Sequence, residues 1–155
     1  MKKTTMFLLL IFLMKLLQAQ LPFNRYPVYK GNDLGVAYTK TSSQFRIWSP
    51  PAQSAQLILY KEGEGGQPFK TINLKKGQSG TWFTSVEGDQ KGMFYTFRIR
   101  FNNKWNNEVP DPYAKAAGVN GKRAMVVNLK ETDPSGWANE KSPAFSLQNK
   151  PTDAV

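Results

Sequence analysis

Two arginines, a tryptophan and an asparagine, close together in the chain, have the types and spacing of a carbohydrate-binding surface. If residues 93–109 form a β-hairpin, Arg100 pairs with Trp105 and Arg98 pairs with Asn107, so the four side chains share one face. An indole ring is a flat apolar surface that fits the C–H face of a pyranose, while Arg and Asn side chains hydrogen-bond to hydroxyl groups. The sequence therefore predicts that Trp105, Arg98, Arg100 and Asn107 contact a sugar.

The hairpin prediction rests on a turn and on an alternating pattern. Asn102-Asn103 is typical of a two-residue hairpin turn. Before it, apolar residues occupy every second position, which predicts one buried and one exposed face of a strand. The predicted buried face carries Met93, Tyr95, Phe97, Ile99 and Phe101. The predicted exposed face carries Phe94, Thr96, Arg98 and Arg100.

Other interpretations of the tryptophans remain open. Trp105 could cover a contact with another domain, or Arg100 could stack on its ring as a cation–π pair without any ligand. A shift of the hairpin by one residue would move Trp105 to the opposite face. Among the other tryptophans, Trp82 is predicted to lie in the core, and Trp48 could lie in either environment. Trp137, in a polar tail, is predicted to dock on another surface.

The composition excludes several kinds of enzyme. The chain contains no histidine and no cysteine, so it lacks Ser-His-Asp and Cys-His systems and zinc sites built on these residues. The glycines at 63–66 are not followed by the Gly-Lys-Ser/Thr of a phosphate loop. A glycosidase needs two carboxylates, but acids such as Glu62, Glu64, Glu87 and Asp89 lie in predicted turns. We predict no catalytic residue, no metal ligand and no cofactor site.

Positive charge is spread along the chain. The formal net charge is +10, yet the longest basic runs are the pairs Lys75-Lys76 and Lys122-Arg123. Nucleic-acid binding requires a concentrated basic face, so we predict a solvated basic surface and no nucleic-acid partner.

Residues 1–19 are predicted to be a signal peptide. Lys2 and Lys3 precede the apolar run 6–14, and Ala19 is the best cleavage position. The run is interrupted by Lys15 and is too short to span a bilayer, so no membrane association is expected after cleavage. We therefore predict a secreted or periplasmic location.

The chain that remains after cleavage, about 135 residues, fits one domain but not a catalytic (β/α)8 barrel of about 250 residues.

The remaining chain is predicted to be all-β. Short alternating runs are separated by Gly-, Pro- and Asn-rich breaks, the pattern of an antiparallel β-sandwich. The predicted strands span 34–39, 44–49, 55–61, 69–74, 81–86, 93–101, 104–109 and 124–129. Residues 131–155 are polar, contain three prolines, and are predicted to be an irregular linker.

Three motifs carry a family resemblance. The segment 45–50 reads FRIWSP, and the segment 109–129 reads VPDPYAKAAGVNGKRAMVVNL, which contains DPYAKA at 111–116 and GVNGKR at 118–123. The first resembles a pattern shared by many N-terminal domains of glycoside hydrolase family 13. The other two resemble the segment that closes the N-terminal sandwich of type I pullulanases, which are debranching α-glucan hydrolases.

The resemblance implies that residues 28–130 form an immunoglobulin-like carbohydrate-binding module of family 48. By the match to glycogen-binding members, Trp105 stacks on glucose with Arg98 nearby. A second ligand-contacting tryptophan of those members has no clear counterpart near 60–69. The catalytic acids of the family lie in its barrel, so none is carried over. The resemblance also implies that 111–116 and 118–123 meet this barrel.

The resulting expectation is an accessory module of a secreted pullulanase-like enzyme that cleaves α-1,6-glucosidic bonds in pullulan, starch or glycogen. Its expected partners are α-glucan and its own catalytic barrel. Asp153-Ala154-Val155 resembles the start of the first barrel strand, so we expect the chain to be the N-terminal part of a longer protein. The alternatives are a stand-alone starch- or glycogen-binding protein and an unrelated immunoglobulin-like interaction domain.

Overall fold

Nine strands form two antiparallel sheets within residues 23–141, the part of the chain that the computed structural model describes. The strands are β1 Gly35–Tyr38, β2 Ser42–Trp48, β3 Ser54–Tyr60, β4 Lys70–Asn73, β5 Lys75–Lys76, β6 Thr81–Glu87, β7 Phe94–Phe101, β8 Lys104–Trp105 and β9 Ala124–Met125. Within the described part the only helical elements are short 3-10 turns, and no helix has the length and apolar character needed to cross a membrane. The predicted signal peptide at 1–19 and the linker residues 142–155 lie outside the described residues.

The two sheets stack as a sandwich. The first sheet has the order β1-β2-β6-β5. The second has the order β4-β3-β7, and the free edge of β7 pairs with β8 at one end and with β9 at the other. All of these pairs are antiparallel. The predicted all-β, antiparallel sandwich is confirmed, and its layout is that of an immunoglobulin-like domain.

The core lies between the inner faces of the sheets and is built by residues that alternate along each strand. Phe45 of β2 packs edge-on against Tyr95 of β7 with 5.0 Å between ring centroids, and Tyr95 packs against Phe97 at 5.7 Å. Trp82 is buried, as predicted, and its Nε1 donates a hydrogen bond to the Ser49 carbonyl oxygen at 3.0 Å. The same core holds Ile47, Leu57, Leu59, Leu74 and Val86.

One predicted strand is divided between the sheets. The run 69–74 was expected to be a single strand, but β4 belongs to the second sheet and β5 belongs to the first. Leu74 is buried at the crossing, and its backbone N–H donates to the Ala55 carbonyl oxygen at 2.9 Å. Lys75-Lys76 has no apolar alternation, so the sequence gives no signal for β5.

The outer face of β7 is closed at one end, contrary to the prediction that it is fully exposed. Thr96 is buried there, and its hydroxyl donates to the Glu108 carboxylate at 2.6 Å. The Tyr60 hydroxyl donates to the same carboxylate oxygen at 2.6 Å. Burial, together with this hydrogen bond to Glu108, raises the pKa of Tyr60 to about 12, so the phenol remains a donor at neutral pH.

The segment that follows β8 covers this end of the second sheet. The Arg123 guanidinium lies 3.4 Å from the centroid of the Tyr60 ring, and its Nη1 donates to the Glu62 carbonyl oxygen at 2.6 Å. Gly118 packs closely against the backbone of Gly63: a Cβ atom at position 118 would lie only 2.8 Å from the Gly63 carbonyl oxygen, so the site requires glycine. The GVNGKR motif thus packs on its own domain through Gly118 and Arg123.

Asp111 is also buried inside this domain. Its carboxylate accepts hydrogen bonds from the Tyr95 hydroxyl at 2.8 Å and from the Tyr113 backbone N–H at 2.8 Å. None of the ion pairs in residues 23–141 involves it. Burial raises the pKa of the Asp111 carboxyl, although the two hydrogen bonds oppose this shift. Asp111, the first residue of the DPYAKA motif, therefore anchors the segment after β8 to the core of its own domain and is not itself available to a barrel.

We predict that Asp111→Asn lowers the free energy of unfolding by about 1–3 kcal/mol, because a buried hydrogen-bonded acceptor is lost. The cost should depend on pH. A raised pKa in the folded state means that the stabilising contribution of Asp111 is fully present below its ordinary pKa of 3.8 and is lost as pH rises through the folded pKa. Urea denaturation from pH 7 down to pH 4 should therefore give a growing difference between the wild type and the variant.

Asp89→Asn is the matched control. Asp89 accepts a hydrogen bond from the Lys91 backbone N–H, which lowers the pKa of its carboxyl, and the Tyr38 hydroxyl bond acts in the same direction. Its contribution is present above the ordinary pKa and is lost as pH falls, so the cost of this variant should shrink toward acid pH. A cost of Asp111→Asn that also shrinks toward acid pH would contradict the assignment of Asp111.

Candidate functional site

A tight turn sets the register of the β7–β8 hairpin. Asn102 and Asn103 have φ of +47° and +61°, the positive pair that a type I′ turn requires and that asparagine tolerates. The Asn103 backbone N–H also donates to the Gln53 side-chain oxygen at 2.8 Å. As predicted, Arg100 lies opposite Trp105.

The hairpin is shorter than predicted, and the predicted Arg98–Asn107 pair is wrong. The regular ladder ends at Trp105, and the next bridge joins Phe97 to Val109. Between these pairs the register changes by one residue, so the returning strand contains an extra residue, as in a β-bulge. Asn107 is exposed beyond the end of β8, and the same change aligns Glu108 with the outer face, where it reaches Thr96.

Arg98 and Trp105 come together on the outer face of the second sheet. The Arg98 guanidinium carbon lies 5.1 Å from the centroid of the indole ring, and Trp105 is 40% exposed. The sequence pointed to Arg100 as the possible cation–π partner, but the diagonal neighbour Arg98 occupies that position. Arg100 is half-buried on the same face, directly opposite Trp105.

Two amides that the sequence did not reveal complete this surface. Arg98 Nε donates to the Gln56 side-chain oxygen at 2.7 Å, and Gln56 Nε2 donates to the Asn73 side-chain oxygen at 2.7 Å. Gln56 is on β3, beside β7, and Asn73 is on β4, beside β3, so that Gln56 pairs with Arg98 on one side and with Asn73 on the other. Their place next to Arg98 depends on the order of strands in the sheet, and no local pattern in the sequence encodes it.

The charge of Arg98 is not neutralised by a carboxylate. The ion pairs within residues 23–141 are Arg46–Asp33, Lys91–Glu131 and Lys122–Glu64, and all lie elsewhere. Only Nε of Arg98 has a hydrogen-bond acceptor in the described part of the chain. The terminal N–H groups therefore remain available to hydroxyl groups of a ligand.

Another aromatic surface lies on the opposite sheet. An open groove of about 330 Å³ is lined by Phe23, Asn24, Tyr26, Val28, Tyr29, Leu34, Trp48 and Tyr113, and we call it the aromatic groove. Trp48 Nε1 donates to the carbonyl oxygens of Pro27 at 3.1 Å and Ser79 at 2.9 Å, so its polar atom is already satisfied. Phe23 and Val28 are largely exposed at its rim. Trp137, also largely exposed, lies outside this groove.

The acidic side chains near these surfaces are few. No group of three or more His, Cys, Asp or Glu side chains that could hold a metal ion occurs among the described residues. Of the acids predicted to lie in turns, Glu64 pairs with Lys122 and Asp89 accepts a hydrogen bond from Tyr38. The arrangement of Arg98 and Trp105 is suited to binding a neutral hydroxylated ligand.

Known proteins resemble this chain along most of its length. Residues 33–114 match the family described as carbohydrate-binding module 48 (isoamylase N-terminal domain). The chain is 35% identical over 127 residues to the pullulanase of Bacillus subtilis (strain 168), covering 82% of this chain and 16% of that enzyme. It is 27% identical over 121 residues to chloroplastic pullulanase 1 of Arabidopsis thaliana, covering 72% of this chain and 12% of that protein.

Solved structures give the same relationship. A pullulanase from Paenibacillus barengoltzii in complex with maltohexaose and α-cyclodextrin superposes with a TM-score of 0.74 at 40% identity, covering 80% of this chain and 19% of that one. The chain thus spans less than a fifth of the length of these relatives. The predicted resemblance to the N-terminal region of pullulanases is confirmed, and the chain belongs to the carbohydrate-binding module 48 family.

Proposed function

We propose that this chain is the N-terminal α-glucan-binding accessory module of a secreted, pullulanase-like debranching hydrolase. The Arg98–Trp105 pair on the open end of the second sheet carries the proposal. It combines an exposed indole ring with a cation that, among residues 23–141, has free terminal donors and no carboxylate partner. The α-glucan class is supported by the family match and by the relatives that were crystallised with maltooligosaccharides.

The binding chemistry follows from the side chains. The C–H face of a glucose unit packs on the part of the Trp105 ring that Arg98 leaves uncovered, which removes apolar surface from water. The terminal N–H groups of Arg98 donate to ring hydroxyls. Arg100 flanks the indole on the same face, and Asn107 contributes only if the ligand extends past the end of β8.

The second part of the proposal is support of a catalytic barrel through the aromatic groove. Phe23, Val28 and Tyr113 expose apolar surface around one concave site, which is typical of an interaction surface. Within the motifs at 111–116 and 118–123, Asp111, Gly118 and Arg123 serve internal packing. Tyr113 of the first motif lines the groove, so the groove is the part of this region that is best placed for the contact.

We predict that Trp105→Ala weakens retention of the module on glycogen or amylopectin in affinity electrophoresis by at least about tenfold, equivalent to about 1.4 kcal/mol. The loss of the stacking surface is the physical cause. Trp137→Ala is the control, because Trp137 is 60% exposed and does not lie beside Arg98. Unchanged retention of a folded Trp105→Ala module would remove Trp105 from the site and contradict the proposed function.

We predict that the purified chain releases no reducing sugar from pullulan. Hydrolysis requires an acid and a second carboxylate across the glycosidic bond, and in this family these lie in the barrel. The measurement is a reducing-sugar assay, with an active pullulanase as positive control. Release of sugar that persists through repeated purification would show that the chain is itself an enzyme.

We predict that the groove binds a pullulanase barrel. The test uses the Bacillus subtilis pullulanase with the region matched by this chain removed, mixed with the chain and followed by sedimentation velocity. A one-to-one complex is expected, and the double variant Phe23→Ser, Val28→Ser should abolish it by removing apolar contact area. Leu129→Ser, which also removes an exposed apolar side chain but outside the groove, should leave the complex intact. Equal binding by both variants would contradict docking at the groove.

A further inference from the structure

A row of contacting side chains crosses the outer face of the second sheet. Trp105 on β8, Arg98 on β7, Gln56 on β3 and Asn73 on β4 are joined in that order by one cation–π contact and two hydrogen bonds. We call these four residues the binding row. It runs across the strands and covers three spacings between neighbouring strands, or about 14 Å.

The hydrogen bonds of the row have a defined direction. Gln56 accepts from Arg98 Nε and donates through its own Nε2 to Asn73. An Nε contact fixes the plane of the guanidinium and leaves both terminal nitrogens unused. A glutamine in this place orients the cation without cancelling its charge, whereas a carboxylate in bidentate contact would occupy the donors that a sugar needs.

Asn73 ends the row at an exposed edge. Asn73 is the last residue of β4, is exposed, and accepts only one hydrogen bond in the described structure. Its side-chain N–H₂ has no acceptor among residues 23–141, so both donors face solvent. The row therefore presents polar donors at the Arg98 position and again at the Asn73 position, with Gln56 between them.

We propose that Gln56 is a positioning residue for Arg98, and that Asn73 is the distal contact of an α-glucan that lies across the strands along the binding row. The inference rests on the proposed function, because it names further residues of the same site. A glucan in this orientation stacks on Trp105 at one end and reaches Asn73 only if the chain is long enough.

A purely structural role for the two amides is the competing explanation. Cross-strand side-chain pairs stabilise a sheet by about 0.2–1 kcal/mol whatever the ligand. That role would change the melting temperature but would not depend on the length of an added oligosaccharide. It would also not predict a loss of affinity in a variant whose sheet is as stable as that of the wild type.

The first test measures affinity for maltoheptaose by isothermal titration calorimetry. We expect Gln56→Leu to weaken binding about three- to tenfold, as for the loss of one positioned hydrogen-bonding group. Gln56→Glu should also weaken binding, without lowering the melting temperature, because a carboxylate there can pair with Arg98 and occupy its terminal donors. Gln44→Leu changes a glutamine at a half-buried position on a strand of the other sheet and should have no effect.

A double-variant cycle separates positioning from direct contact. If Gln56 acts through Arg98, then Gln56→Leu has no further effect on affinity in the Arg98→Ala background. Additive losses from the two changes would overturn the positioning role.

The second test varies the length of the ligand. Asn73→Ala should weaken binding of maltoheptaose by at least about twofold, as for a lost weak hydrogen bond, and should leave maltose unchanged. Thr71→Ala is the control, because Thr71 is an exposed residue on the same strand and makes no hydrogen bond with the row. Equal losses for maltose and maltoheptaose would overturn the distal contact.

The outcomes distinguish the two proposals. If Trp105→Ala weakens binding but Gln56→Leu and Asn73→Ala do not, the site stands and the binding row is wrong. If the folded wild-type module binds neither maltoheptaose nor glycogen, both proposals fail together.

Discussion

The buried hydrogen bond between Tyr95 and Asp111 determines how the rest of the second sheet is used. Tyr95 lies in the centre of the core against Phe45, and Asp111 belongs to the segment that follows the β7–β8 hairpin. An uncompensated buried carboxylate is costly unless its oxygens are hydrogen-bonded, and both oxygens of Asp111 are. This bond holds the returning chain against the Phe94 end of β7, where it continues to β9.

The outer face of the second sheet is consequently divided into a closed half and an open half. In the closed half, the Glu108 carboxylate accepts hydrogen bonds from two hydroxyl groups, and the Arg123 guanidinium covers the Tyr60 ring. In the open half, Arg98 and Trp105 remain accessible because the hairpin ends its regular pairing at Trp105. The register change before Val109 links the two halves, since it turns Glu108 toward the sheet and ends the strand beside the indole ring.

Features that depend on neighbouring residues could be predicted from the sequence, and features that depend on strand order could not. The Asn102-Asn103 turn and the alternation of β7 fixed the pairing of Arg100 with Trp105, which the structure contains. The extra residue after Trp105 has no signal in the sequence, so the predicted pairing of Asn107 with Arg98 was wrong. Gln56 and Asn73 lie far from Arg98 in the chain and could be found only once β3 was placed beside β7 and β4 beside β3. The DPYAKA motif was recognised, yet its first residue proved to be internal, because motif recognition does not reveal burial.

The neutral amide beside Arg98 also determines how the surface responds to acidity. Trp105, Gln56 and Asn73 do not ionise, a guanidinium stays charged throughout the accessible pH range, and the chain has no histidine. Attachment built on these residues is therefore independent of pH, whereas turnover by a pair of glycosidase carboxylates is not. An enzyme carrying this module would remain on its polymer as the medium acidifies and its turnover changes, so that retention and turnover respond to pH separately.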